Sequence, residues 1–173
     1  SDQHGSYLTL LNTFLANTPE PRMAEEEDLR VTAHRFASIL DGATSAALFN
    51  SLAYTSSGFR AVLGDTYLIG RLESSAGQTV DDGTGKISVL EMTPEETVDQ
   101  VDGFKTLVNL NPDHAESWKR NRDWLADVAD RCHKLGKPLF SETLLLQLPG
   151  EDRSTFAARL PEALIQIAED FGS

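Results

Sequence analysis

Apolar positions along the chain recur with two different periods, and the alternation between them divides the sequence into helices and strands. Leu8, Leu11, Phe14 and Leu15 fall at helical spacing and predict a first helix directly after residues 1–5, broken over Asn17 to Pro21. A second helix is predicted from about Met23 to Phe36. Its first turns hold Glu25, Glu26, Glu27 and Asp28, where the helix dipole favours acids. Ala37 to Gly42 reads as a short buried strand closed by Asp41 and a glycine, and Ala46–Leu52 and Gly58–Leu63 read as helix and connector. Thr66 to Glu73 reads as the next strand, also ending in an acid. Ser74 to Lys86, rich in Gly, Asp and Thr, reads as a loop, either a plain surface connection or a lid over a site. Thr93 is the predicted N-cap of a short helix with Pro94 at its first position.

The stretch from Asp102 to Asp113 organises the rest of the chain. Phe104, Thr106, Val108 and Leu110 alternate with Lys105, Leu107 and Asn109, and Asn111-Pro112-Asp113 closes the run as a turn. Asp113 is the expected cap of a long helix through about Leu135, stopped by Gly136. Trp118, Arg122, Leu125, Val128, Ala129 and Cys132 mark its expected inner side. Lys137 to Leu145 predicts another strand, and Ser154 to Phe171 a final helix around Pro161.

Four predicted strands, centred near residues 40, 69, 106 and 140, alternate with helices at the spacing of βαβ units. That is an α/β pattern with parallel strands. It fits a doubly wound sheet or part of a (β/α)8 barrel. No G-x-G-x-x-G and no P-loop follows a strand. Polar residues instead gather where strands end: Asp41, Glu73, Asn109 to Asp113, and Glu142. In a barrel that edge carries the catalytic groups. A whole barrel takes about 250 residues, so the expected fold is α/β, a (β/α)8 barrel of which residues 1–173 supply roughly the first half as one partial domain.

Two charged residues stand out inside strands. Lys105 is the one lysine within a strand-like run, and Glu142 sits in the apolar middle of the following strand. An ammonium there needs partners, from a cleft or barrel interior, unless it snorkels from an edge strand. Neighbouring strands bring a cation and a proton carrier together, which is what imine chemistry requires. A nearby positive charge lowers an amine's pKa, and a carboxylate moves protons during carbon–carbon cleavage. The same pair also reads as a buried ion pair with no chemical task.

Composition narrows the partners. The net charge of −12 argues against the phosphate backbone of nucleic acid and against anionic membranes, while leaving room for a small anionic substrate at a local positive site. Cys132 is the single cysteine, so no intrachain disulfide or cysteine-rich zinc site is expected. No apolar run reaches membrane-spanning length and no signal peptide is recognisable, so a cytoplasmic location is expected. The histidines His4, His34, His114 and His133 share no ligand spacing. Cys132 reads as a small core residue.

In their order and spacing these segments resemble the N-terminal part of the tagatose-bisphosphate aldolase family and its sulfofructose-phosphate aldolase relatives, class I (Schiff-base) aldolases on a (β/α)8 barrel. Asp2-Gln3-His4 stands where the family has Asp-Gln-Arg. Ser38-Ile39-Leu40-Asp41 resembles its second strand, and Glu73 its third-strand carboxylate. Phe104 to Leu110 resembles its fourth strand, and Phe140-Ser141-Glu142-Thr143-Leu144 the strand after that. The resemblance implies cleavage of a phosphorylated or sulfonated ketose with no metal and no cofactor. It makes Lys105 the supporting lysine and Glu142 the acid/base, with Asp2, Gln3, Asp41 and Glu73 on the substrate. His4 departs from the family's arginine, and the family's imine-forming lysine lies on a strand beyond Ser173. A homo-oligomer, or completion by the other half of a barrel, is therefore expected. Two other readings stay open: a lyase or isomerase in which Asp41, Glu73 and Glu142 hold Mg²⁺, and a non-catalytic truncated barrel that binds a partner or itself.

Overall fold

A computed structural model describes residues 4–40, 46–49, 62–74, 78–79, 86–148 and 150–171. The chain divides into two compact units. The first comprises Ser1–Leu72 and Met92–Phe104, the second Glu73–Glu91 and Lys105–Ser173.

The first unit opens with helix α1, His4–Ala16, followed by α2, Glu26–Leu40. Asn12 Oδ1 accepts from the Ala24 amide at 2.7 Å and ties the connection back to α1. Before α2, Arg22 grips Asp28 through both guanidinium nitrogens at 2.5 and 2.6 Å, and Asp28 also accepts from the Glu25 amide. Arg22 first, and that amide second, hold the Asp28 carboxyl at about 2. The predicted strand at 37–42 is instead the end of α2 as far as Leu40. No Gly or Pro interrupts Arg30 to Leu40, so extending the helix costs less than starting a new element. Ser38 Oγ bonds back to the His34 carbonyl, as a helical serine does.

Strand β1, Ala46–Phe49, lies where a helix is predicted over 46–52. A short apolar run cannot be told apart from a helix by its period, and pairing decides the matter. β1 lies parallel to β2, Tyr67–Arg71, with Ala46 opposite Tyr67 and Phe49 opposite Gly70. The start of β2 is fastened by Asp102. Its carboxylate accepts from the Leu68 amide at 2.8 Å, its own amide donates to the Leu68 carbonyl, and its carbonyl accepts from the Tyr67 hydroxyl. Helix α3, Pro94–Thr97, has the predicted cap: Thr93 and Glu96 form a reciprocal capping box.

The second unit holds an antiparallel strand pair, β3 (Gln78–Thr79) and β4 (Lys86–Ile87), where a loop is predicted over 74–86. Then come β5 (Gly103–Asn109, its first two residues in the first unit), α4 (Ala115–Lys134), β6 (Leu139–Leu144) and α5 (Arg153–Phe171). In the first unit β1 pairs with β2, and in the second β5 lies beside β6. Leu110, just past the end of β5, donates to Leu144 at the end of β6, so these two strands run the same way. The connection through α4 is a β-α-β crossover.

Packing follows the alternation along β5. Phe104, Thr106, Val108 and Leu110 are fully buried, and Val108 and Leu110 form a core with Leu125 of α4 and Ile167 of α5. Trp118 and Phe171 close it edge to face at 5.9 Å. The buried face of α4 is Ser117, Asn121, Leu125, Val128 and Cys132, whereas Arg122 and Ala129, expected inside, are exposed. The cap is His114 rather than Asp113: its ring Nδ1 accepts from the Ser117 amide at 3.3 Å. Gly136 ends the helix at φ 67°, a conformation that glycine adopts without a Cβ penalty. Among the described residues no helix is long and apolar enough to cross a membrane.

Candidate functional site

Within the second unit, Lys105 lies on the side of β5 opposite the buried Thr106 and Val108. Its side chain is 6% exposed. Two carboxylates receive its ammonium: Glu73 Oε1 at 3.3 Å and Glu142 Oε2 at 3.1 Å. The three come from distinct segments. Glu73 follows β2 and is held in an antiparallel bridge to Leu90, with the neighbouring Ser74 amide donating to the Val89 carbonyl at 2.8 Å. Lys105 is the third residue of β5, and Glu142 the fourth of β6.

The two acids differ in environment. Glu73 is buried to the same degree as the lysine, while the Glu142 side chain is 53% exposed. Buried charge requires an opposite charge beside it, and Glu73 supplies that for Lys105. Glu142 touches the same ammonium yet reaches solvent, so it can exchange protons with a small molecule on that side. The cluster thus combines a fixed positive charge with an accessible proton carrier. Phe140 and Leu144, on the same side of β6 as Glu142, are exposed at 48% and 39% and give the approach to it an apolar border.

Of the residues singled out from sequence, Lys105, Glu142 and Glu73 are brought together. Asp2, Gln3 and Asp41 lie outside the described residues. Glu73, which the resemblance assigns to the substrate, has its carboxylate against the Lys105 ammonium. His34 and His133 sit on helices, and His114 is a helix cap. Cys132 is buried in the α4 core. Among the described residues no three His, Cys, Asp or Glu side chains are grouped as a metal ligand set.

Two polar clusters escaped the sequence reading. Asn121, fully buried on α4, accepts from the Ser88 amide at 2.8 Å and donates to the Asn109 carbonyl at 2.6 Å. Its signal was present: residues 117, 121, 125, 128 and 132 trace one helical face, and only an amide with assured partners belongs in that line. Arg159 of α5 gathers the loop after β6. It binds Glu151 at 2.5 and 2.9 Å, the Leu146 carbonyl at 2.9 Å and Asp113 at 3.1 Å, and lies over the Phe156 ring. The hydrogen bonds from the Arg159 guanidinium hold the Glu151 carboxyl below its ordinary value. Separated by eight residues on either side of a helix start, this pair has no sequence signature.

Compared with known proteins, the chain matches no family model and no curated relative.

Proposed function

We propose that the chain forms part of a Schiff-base carbon–carbon lyase acting on a phosphorylated or sulfonated ketose, built on a partial (β/α)8 barrel. The observation that supports this reading is the buried Lys105 ammonium held between a buried and a solvent-accessible carboxylate. In this reaction an amine adds to the ketone carbon, water leaves, and an iminium forms. The bond between the carbons α and β to the iminium then breaks, its electron pair moves toward the iminium to give an enamine, and the β-hydroxyl loses its proton to a base as its carbon becomes an aldehyde. Glu142 is that base, and afterwards the acid that returns the proton. Lys105 keeps positive charge beside the reacting amine, which favours the neutral, nucleophilic form of that amine. Glu73 holds Lys105 in place. In the aldolase family that the sequence resembles, the imine-forming lysine stands on a different strand, so the supporting role falls to Lys105.

The test is borohydride reduction of the full-length protein in the presence of dihydroxyacetone phosphate, with the adduct mapped by mass spectrometry. A reduced adduct on a lysine other than Lys105 is expected. Glu142→Gln should depress turnover by roughly 10²–10⁴-fold. Absence of any adduct, or near-normal turnover in Glu142→Gln, overturns the reading.

A further inference from the structure

We propose that Asn121 is a positioning residue for the Glu73–Lys105 pair, acting through Ser88 and Asn109 rather than by touching either charged group. The inference goes beyond the lyase reading and does not depend on it. It starts from an oddity of α4. Along a face otherwise apolar from Leu125 to Cys132, the chain buries a side-chain amide to 0% exposure. An amide in that place is unfavourable unless both its ends are bonded, and both are. Oδ1 accepts from the Ser88 amide at 2.8 Å, and Nδ2 donates to the Asn109 carbonyl at 2.6 Å.

Those two partners belong to the two segments that carry the ion pair. Ser88 follows β4 and is two residues from Leu90, which bridges to Glu73; the Val89 carbonyl between them accepts from the Ser74 amide. Asn109 ends β5, on the same side of the strand as Lys105 and four residues from it. Ser88 Oγ makes a second link to β5, donating to the Leu107 carbonyl at 3.4 Å. One side chain therefore fixes residue 88 and residue 109 at once. Through short, extended segments it sets where Glu73 stands relative to Lys105. An aliphatic residue at 121 would satisfy the packing of α4 but not this registration, because it has neither the acceptor for Ser88 nor the donor for Asn109.

The test reads Lys105 directly and needs no substrate. The purified protein is methylated with formaldehyde and cyanoborohydride, and the rate at each lysine is followed by mass spectrometry. The exposed Lys119 and Lys134 serve as internal references. Asn121→Leu is compared with Val128→Ala, a truncation at a fully buried position on the same helix, at urea concentrations that give the two variants equal global stability. Loss of the registration opens the Glu73 segment locally, so Lys105 should be methylated at least about tenfold faster in Asn121→Leu than in matched Val128→Ala, since two buried hydrogen bonds are lost and one alone sets a scale of about tenfold. Equal Lys105 rates in the matched pair overturn the proposal, since Asn121 would then contribute only to overall stability. If Asn121→Leu does not fold, Asn121→Asp takes its place. It keeps the acceptor for Ser88 and removes the donor to Asn109, so faster Lys105 methylation than in the matched control supports the proposal and an equal rate overturns it. Failure of borohydride trapping would leave this result untouched, so the two readings fail separately.

Discussion

Replacing Lys105 with methionine removes the ammonium while keeping most of the apolar stem. Two carboxylates lose a partner, but unequally. Glu142 is half in water and rehydrates, so its share of the loss is about 0–1 kcal/mol. Glu73, 6% exposed, loses the ammonium that balances its buried charge. Breaking a buried pair in this way costs about 3–5 kcal/mol. Protonation limits that cost, because the folded variant can always take up a proton on Glu73. At pH 7, against an ordinary glutamate value of about 4.3 and at about 1.36 kcal/mol per pH unit, the limit is about 3.7 kcal/mol. At pH 5 the same reasoning gives about 1 kcal/mol. In the variant the folded state keeps a proton that the unfolded state releases, so its stability falls as pH rises through this window. Urea unfolding of parent and variant at the two pH values measures the difference. A deficit near 3–4 kcal/mol at pH 7 that shrinks by more than half at pH 5 is expected, and adding Glu73→Gln should recover most of it at pH 7. A deficit below about 1 kcal/mol at pH 7, or one that does not change with pH, would refute the claim that Glu73 depends on Lys105 for its burial.

Two further predictions concern helix starts. Asp152 accepts from the Ser154 hydroxyl and amide and from the Thr155 amide and hydroxyl, and these, the Ser154 hydroxyl foremost, hold its carboxyl at about 2. The stability it contributes is therefore fully present above about pH 4 and lost as pH falls toward about 2; Asp152→Asn should melt below the parent at neutral pH, with the gap closing in strong acid. Thr93→Ala removes one half of the α3 capping box and should lower stability by about 1 kcal/mol in chemical denaturation.

How much of this was legible in the sequence depends on where each element draws its information. β2, β5, β6, α3, α4 and α5 were readable because their own periods and end signals decide them: alternation along Phe104–Leu110, Pro94 after Thr93, Gly136 after the last turn of α4. The misreadings fall where local signals are degenerate. Ala37 to Leu40 suits a strand or a helix, and continuity with the preceding turns decides for helix. Ala46 to Phe49 equally suits either, and β2, some twenty residues on, decides for strand by offering a parallel ladder.

The same distinction runs through the candidate site. Lys105 and Glu142 were visible because a charge in an apolar strand contradicts its surroundings and so calls for a partner. Glu73 was visible as an acid at a strand end, but not as the lysine's buried partner, since that contact depends on the path of the segment that returns through Leu90. Asn121 showed its place on the buried face of α4 but not its partners, for a related reason. It holds backbone groups, Ser88 N and Asn109 O, which every sequence possesses and no side-chain pattern records. Residues that carry charge announce themselves, whereas residues that place the charge do so through main-chain hydrogen bonds and become evident only from coordinates. The arrangement around Lys105 therefore divides into a legible part, the ammonium and its carboxylates, and an illegible part, the amide clamp that fixes the spacing between them. A search of this chain for variants that alter the site without altering its charges should begin at position 121 rather than among the acids.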